Sequence, residues 1–600
     1  MPSNLLTEWS RLLIGTLARA GVREAIISPG SRSTPFAWAA LKEPQLRCTN
    51  LVDERSAAFF ALGQAKISGR ASLLICTSGS AGSHYYPAVI EASLSRTPLL
   101  VLTADRPPDL QGCGAPQTID QTRLFGEHCR EFFDLGLPDS ADGALRSLRR
   151  RIAQAVAATS YPMPGAVHLN APARKPLEPC PPRAQTEIDL QRFVTTLLDH
   201  APSISLPRTA PDPTALASLA ERCRNAARGL IVCGPQPPTS STHHAILRLA
   251  SASGFPLLCE ATSQVRFRTS HADPSLVICD SFDRLFQTPR FRESFISDLL
   301  LQIGPPPTSA GYDSYLTQHP EIPRHILAAQ GVPDPPGSAV STIVGDIVES
   351  ADGLARLLEA PLGETPWQER VGRANLVAWS VVEGELSDQT TLGEGEAVRI
   401  AVESAPRGSI LALGNSLAIR HVDGFCPARD SGLSVWFQRG ANGIEGLISG
   451  AAGAAHGSGR GVTLIIGDIS FLHDVSGLWA ARHVTPPLVI VVIDNDGGRI
   501  FEQLPLASLD ARDDANDLDG LESWLTPHGL DLTLAARFYG HPVVRASSAD
   551  ELRHGLEQAH SSAGCSVIVA LVPPHGAAEQ QKRLARSLKD ALDGAAASEL

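Results

Sequence analysis

Two apolar strands in the C-terminal third of this 600-residue chain each end in hard oxygen donors. The segment LIIGDISFLHDVSGLWAARHVTPPLVIVVIDNDGGRIF carries Gly467-Asp468 after the first strand. After the second, Leu488 to Ile493, come Asp494-Asn495-Asp496-Gly497-Gly498. The two lie about one βαβ unit apart. Asp, Asn and Gly are common turn formers, so the bland account is two ordinary strand-to-loop turns. The chemical account is more specific. In doubly wound sheets, ligands lie beyond the carboxyl ends of the strands. A carboxylate, an amide oxygen and a backbone carbonyl there form an all-oxygen set suited to Mg²⁺, which usually bridges to ligand phosphates. Gly467, Gly497 and Gly498 would let the backbone approach a diphosphate closely. The pattern points to a metal-bound diphosphate.

The bulk properties restrict the alternatives. A chain this long carries a prior of roughly three or four domains. Its 43% hydrophobic and 19% charged residues are ordinary for a globular enzyme, and its net charge of -12 argues against a basic nucleic-acid surface. Eleven cysteines are scattered without a CxxC pair, so neither a zinc site nor a disulfide framework is expected, and reduced thiols fit a cytoplasmic protein. The start, MPSNLLTEWSRLL, reads as an amphipathic helix rather than a signal peptide. No apolar run reaches membrane-spanning length, so no membrane insertion is expected.

Strands and helices alternate along the chain, which predicts an α/β fold with parallel sheets covered on both faces. Expected strands include Ala25 to Ser28, Ser72 to Thr77, Pro98 to Thr103, Gly229 to Gly234, Phe255 to Cys259 and Leu299 to Ile303; Asp53 to Lys66 reads as a helix. Proline is frequent between Pro172 and Pro213, which reads as a linker. Three doubly wound domains in a row are expected, 1–185, 186–365 and 366–575, followed by a solvated helical tail, 576–600.

Glu54 opens the predicted helix after a strand-like stretch. Glu in a first helical turn is common for its interaction with the macrodipole, but its surroundings are informative. LVDERSAAFFALGQAKISGR, from residue 51, and ASLLICTSGSAGSHYYPAVIEASLSRTPLLVLTADRPP, from residue 71, resemble the pyrimidine-binding domain of decarboxylase-type thiamine diphosphate enzymes. The GD pair and the strand ending in Asp494-Asn495 resemble the diphosphate motif of the same superfamily, whose usual ending is two asparagines. Within it, SPGSRSTPFAWA (Ser28 to Ala39), TADRPPDLQGCGAPQTIDQ (Thr103 to Gln121) and FQRGANGIEG (Phe437 to Gly446) resemble the 2-succinyl-5-enolpyruvyl-6-hydroxy-3-cyclohexene-1-carboxylate synthase family of menaquinone biosynthesis. The resemblance runs along the whole chain and is strongest in the first and third domains.

The resemblance implies pyrimidine-binding, middle and diphosphate-binding domains, with thiamine diphosphate and Mg²⁺ or Mn²⁺ as cofactors. It implies decarboxylation of 2-oxoglutarate and addition of the remaining unit to isochorismate. Glu54 is then the catalytic acid against the aminopyrimidine ring. Thr77, Ser78 and Gly79 sit over the cofactor, and Ile444 packs beneath it. Gly467, Asp468, Ile469, Ser470, Asn495 and Gly497 hold the diphosphate end, with the metal on Asp468, Asn495 and the Gly497 carbonyl. Ser416, Arg420 and Arg439 face the 2-oxoglutarate side, and Ser31, Arg32, Arg106 and Gln117 face isochorismate or its product. Ile500 and Phe501 line an apolar wall. Guanidinium forks suit substrates that carry several carboxylates, though a surface salt bridge is the default account of any single Arg.

Ala310, in QIGPPPTSAGY, stands where the family often has a basic residue. His84 is expected in the core or behind the site, and no flavin is expected. Active sites at subunit interfaces, in a homodimer or homotetramer, follow from the resemblance. Two rivals remain at this stage. One is another thiamine enzyme, such as an acetolactate synthase or 2-oxoacid decarboxylase. The other is a catalytically silent homologue that binds nucleotide or regulates a partner. A nucleotide-dependent oxidoreductase is disfavoured because no GxGxxG opens a βαβ unit.

Overall fold

A computed structural model describes residues 3–239, 241–269, 273, 275–358, 365–387, 391–508 and 521–594. Runs such as LLVLTAD and LVIVVID are too continuously apolar to expose either face, and they form central strands of parallel sheets. The first sheet contains β1 (Glu24–Ile27), β2 (Arg47–Asn50), β3 (Ser72–Cys76), β4 (Leu99–Asp105), β5 (Cys129–Asp134) and β6 (Ala166–Pro172), in the order β2-β1-β3-β4-β6-β5. The second contains β7 (Gly229–Cys233), β8 (Leu257–Cys259), β9 (Ile278–Cys279), β10 (Leu299–Ile303), β11 (Arg324–Ala328) and β12 (Ala339–Val344). Its order, β9-β8-β7-β10-β11-β12, is the 3-2-1-4-5-6 arrangement of a doubly wound sheet. The third contains β13 (Ile410–Leu413), β14 (Ser434–Phe437), β15 (Val462–Gly467), β16 (Leu488–Asp494), β17 (Val543–Ala546) and β18 (Cys565–Leu571). Its order, β14-β13-β15-β16-β18-β17, repeats that of the first sheet.

Two helices join the first and third sheets. Glu54–Ser68 is capped by the Asp53 side chain, which accepts from the Ser56 N–H, and ends at Gly69 in the left-handed region, φ 69°. It crosses Leu447–Ser458, whose sequence LISGAAGAAHGS is almost free of bulk. A Cβ on Gly63 would lie 2.0 Å from the Gly450 carbonyl oxygen, and one on Gly453 would lie 2.0 Å from that of Phe60. The backbones therefore touch. Phe59, Phe60, Leu447 and Ile448 merge with strand residues of both sheets in one buried cluster.

Packing places the domain limits differently from composition. The helix Gln185–Asp199 lies inside the expected Pro172–Pro213 linker and across the expected limit at 185. It buries Leu190, Val194, Leu197 and Leu198 in the core of the first sheet, against Leu5–Arg19. Pro366–Ser387, expected to open the third domain, covers the middle sheet: the Trp367 Nε1–H donates to the Gly229 carbonyl, 3.1 Å, and its ring stacks on Phe295. The terminal helix Gly576–Gly594 is not a free solvated element. Leu588 and Leu592 enter the same middle-domain cluster, and Arg290 pairs with Asp593 at 2.8 Å. No helix among the described residues is long and apolar enough to cross a membrane.

Filling the helix contact should weaken the fold. Gly63→Ala is expected to lower stability by about 1–3 kcal/mol in urea unfolding. Gly143→Ala, on a helix where an added Cβ meets nothing within 4 Å, is expected to leave stability unchanged or slightly raised.

Candidate active site

In both matching sheets the strand order reverses direction beside the first strand, and the crevice there is where ligands bind doubly wound sheets. In the third sheet this crevice is flanked by the loops after β13 and β15, with β16 alongside. Gly467 of β15 is in register with Ile493 of β16, so the two oxygen-rich ends lie abreast. One pocket is lined by Asn415 and Ser416, by Gly467 to Ser470, and by Asn495, Gly497, Gly498 and Ile500. Asp468 is buried. One carboxylate oxygen accepts from Ile469 N–H, 2.6 Å, and the other from Gly497 N–H, 2.8 Å. Burial pushes its carboxyl up to about 6 against those bonds. The Asn495 Oδ1 is buried without a hydrogen-bond partner, and Gly467 has open space where a Cβ would point. A carboxylate short of positive charge, an orphaned amide oxygen and a free cradle suit a hard cation and its diphosphate.

Four further side chains organise this loop. His528 approaches from a distant segment: its Nε2 lies 3.3 Å from Asp468 and 3.8 Å from Asp494. Ligand atoms of Asp468, Asp494 and His528 all fall within 4.8 Å of one another. Buried Arg499 donates to the carbonyls of Asn495, 3.0 Å, and Asp496, 2.9 Å, and holds the turn from inside. Glu394 and His421 stand behind Asn495. Glu394, His421 and His528 have no local sequence signal, because each reaches the loop through tertiary packing, whereas Arg499 is local but bonds back to carbonyls. Gly497, at φ 134°, could not carry a side chain, since a Cβ would meet the Leu525 carbonyl at 2.4 Å. Phe501 is half-buried, and its ring lies beside Gly498.

The first sheet builds a second group at its own crevice. Glu54 begins its helix half-exposed. Thr77 follows β3 and accepts from the Arg32 backbone N–H through its Oγ1, 3.2 Å. Ser78 and Gln117 interlock: the Ser78 hydroxyl donates to the Gln117 carbonyl, 3.0 Å, and the Gln117 amide donates to the Ser78 carbonyl, 3.1 Å. Gly79 N–H donates to Gln121, 3.0 Å, which ties the turn to β4 through the Ala104 carbonyl. Arg32 is buried and gives one N–H to the Ala173 carbonyl, 2.6 Å, while its Nε and the Arg106 Nε are buried without partners. Burial and then the neighbouring Arg106 push the Arg32 guanidinium below its usual range. Ser31 is exposed nearby. His84, expected in the core or behind the site, is exposed on the surface.

Ser416 sits at φ 65° as the cap of the helix Leu417–Phe425, and Arg420 donates to its carbonyl, 2.6 Å. Arg439 donates to Asn415 Oδ1, 3.2 Å. Its guanidinium is pushed down by burial and by Arg420, against the opposing pull of Glu260. The first domain fixes this strap: Glu91 accepts from the N–H groups of Gly440, 3.0 Å, and Ala441, 2.7 Å, and Lys66 donates to the Phe437 carbonyl, 2.5 Å. Half-buried Ile444 follows. Ala310 is the exposed first residue of the helix Ala310–Gln318; in the loop before it, Thr308 N–H donates to buried Glu260, 2.7 Å. The structure thus forms two groups. Among the described residues this pocket is lined by the third domain alone, and Glu54 and Thr77 to Gly79 do not enter it.

Comparison with known proteins agrees with this division. Residues 7–124 match the family described as "Thiamine pyrophosphate enzyme, N-terminal TPP binding domain", and residues 430–570 match "Thiamine pyrophosphate enzyme, C-terminal TPP binding domain". The chain is 43% identical to the 2-succinyl-5-enolpyruvyl-6-hydroxy-3-cyclohexene-1-carboxylate synthase of Sorangium cellulosum (strain So ce56), over 99% of each chain. It is 37% identical to the enzyme of the same name from Myxococcus xanthus (strain DK1622), over 92% of this chain and 93% of that one. The benzoylformate decarboxylase structure from Polynucleobacter necessarius superposes with a TM-score of 0.66 at 17% identity, over 94% of this chain and 98% of that one, a likeness of fold.

Behind the pocket, buried Asp474 accepts from the N–H, 2.8 Å, and hydroxyl, 3.1 Å, of Ser449 at the start of the glycine-rich helix. Burial pushes its carboxyl up to about 6. The folded state then binds this proton more tightly than the unfolded chain, so its contribution to stability falls as pH rises from about 4 to about 6. Asp474→Asn should gain on the parent over that window, by up to about 3 kcal/mol. Denaturant unfolding at pH 4 and pH 7 checks the trend.

Proposed function

Because the chain belongs to the 2-succinyl-5-enolpyruvyl-6-hydroxy-3-cyclohexene-1-carboxylate synthase family of thiamine diphosphate enzymes, we propose that it decarboxylates 2-oxoglutarate and joins the remaining four-carbon unit to isochorismate. The product is the compound that gives the family its name, with release of carbon dioxide. The observation that carries this reading is the pair of buried, unpartnered guanidinium nitrogens on Arg32 and Arg106, Nε in each. Two cations held side by side without full satisfaction favour a multiply anionic ligand.

Bound in the pocket, thiamine diphosphate supplies the electron sink for loss of carbon dioxide and the carbon nucleophile for the joining step. Asp468, the Asn495 amide oxygen and the Gly497 carbonyl hold the divalent cation, Mg²⁺ or Mn²⁺, on the diphosphate. Glu54 holds a proton at the pyrimidine ring, and Thr77, Ser78 and Gly79 lie over that ring. Arg420, Arg439 and Ser416 bind the distal carboxylate of 2-oxoglutarate. Arg32, Arg106, Ser31 and Gln117 orient isochorismate. Ile444, Ile500 and Phe501 wall the site and exclude water.

A complete site takes Glu54 from one subunit and the diphosphate pocket from a second copy. Apolar side chains exposed near both groups support this assembly: Trp38, Leu41 and Val52 on the first domain, Leu530, Leu534 and Phe538 on the third. The working unit is then a homodimer, or a tetramer of two such dimers. Placement in the cytoplasm is part of the same proposal, supported by eleven free cysteines.

With thiamine diphosphate and Mg²⁺, purified protein should consume isochorismate, followed by ultraviolet absorbance, when given 2-oxoglutarate and not when given pyruvate. Reaction with pyruvate instead would favour another carboligase. Glu54→Gln should abolish turnover yet retain diphosphate binding by calorimetry; substantial remaining activity would refute the assigned proton path. Sedimentation of an active monomer would overturn the shared site.

A further inference from the structure

An asparagine amide can present either its oxygen or its NH₂ to a ligand, and only the oxygen binds a cation. Something must therefore choose the orientation of Asn495. Its Nδ2 donates to Glu394 Oε1, 2.7 Å. The other oxygen of Glu394 accepts from His421 Nε2, 2.8 Å. All three residues are buried: Glu394 is 3% exposed, His421 2% and Asn495 6%. Glu394 and His421 line the same pocket as Asp468. Glu394 opens the helix Glu394–Ser404, and His421 lies on the helix packed against it, Leu417–Phe425.

These bonds have one direction. His421 gives its Nε2 hydrogen to Glu394, which occupies one carboxylate oxygen. The remaining oxygen accepts only from a donor, so the Asn495 NH₂ turns toward it. The amide oxygen is then forced the opposite way, where it is buried and meets no protein donor. We infer that Glu394 and His421 are positioning residues which fix the polarity of Asn495 so that its oxygen faces the cation. The inference rests on the cation assignment proposed above. Outer partners of this kind typically change metal affinity 10–100-fold when lost, in rough terms.

Charge exchange tests direction separately from packing. Glu394→Gln keeps the shape. Its amide oxygen accepts from His421, so its NH₂ faces Asn495 and rotates the Asn495 oxygen away from the cation. Mg²⁺-dependent binding of thiamine diphosphate, read by calorimetry, should weaken about 10–100-fold. Mn²⁺ affinity, read by electron paramagnetic resonance with thiamine diphosphate present, should fall in parallel. Asn495→Asp alone sets two carboxylates against each other and should also weaken binding. The double variant, Glu394→Gln with Asn495→Asp, restores one donor, one acceptor and the original charge. Because Asp offers oxygen on both sides, binding should recover to within about threefold of the parent, since a well-matched network is non-additive.

Parent-like binding by Glu394→Gln would overturn the inference. So would a double variant no better than the two singles combined, which would mark Glu394 as structural only. Metal-free unfolding midpoints identify any variant that has lost its fold; if Glu394→Gln has, His421→Leu gives the decision. It removes the donor that occupies the second Glu394 oxygen and leaves that carboxylate free to turn or take up a proton, so cation affinity should fall, and parent-like binding in that folded variant would overturn the inference. Failure of the parent itself to bind thiamine diphosphate would instead reject the cofactor reading.

Discussion

The contact on which the molecule depends is the crossing of Glu54–Ser68 over Leu447–Ser458. Gly63 on one helix and Gly453 on the other let the two backbones meet at a separation no larger side chain would allow. This contact sets the first sheet against the third. It also carries Glu54 at one helix start and leaves Leu447, with Asp474 beneath it, at the other. The same interface extends to Glu91 and Lys66, which reach across to the strap 437–441. Chemistry in the third domain is thus positioned partly by the first.

Around the pocket, direction of hydrogen bonding matters as much as distance. Asp468 is surrounded by donors, Arg499 faces carbonyls, and Glu394 stands between two N–H groups. Among the buried side-chain atoms without partners are the Asn495 amide oxygen in the third domain and the Nε atoms of Arg32 and Arg106 in the first. Buried polar groups are normally paired, so these exceptions support the proposed placing of ligand atoms beside them. The two sets have opposite demands, positive charge in one and negative charge in the other.

The parallel α/β architecture was legible because apolar strand runs alternated with helical periodicity, and the oxygen-rich strand ends were legible because they were local. The structure shows where the remaining signals lay. Glu394 stands in a first helical turn, where Glu is common, with nothing local to mark it, and His528 lies about thirty residues beyond the loop it meets. Arg499 was visible but its role was not, since its bonds run back to carbonyls. Proline frequency suggested a linker through a segment whose helix is in fact core. The terminal helix carries Leu584, Leu588 and Leu592 four apart, a buried stripe obscured by its many charges. Composition reports average polarity, whereas docking depends on which face carries it.

That terminal helix has a consequence for how the chain is made. The middle sheet begins with β7 at Gly229, yet part of its covering layer is Leu588 and Leu592. Domains tend to fold in order as synthesis proceeds. Here the middle sheet emerges early and waits for nearly the whole third domain before its last apolar surface is covered. During translation that surface is open to chaperones or to neighbouring chains. A ribosome that stops shortly before the end would release a protein with its chemical residues present and its central domain unfinished.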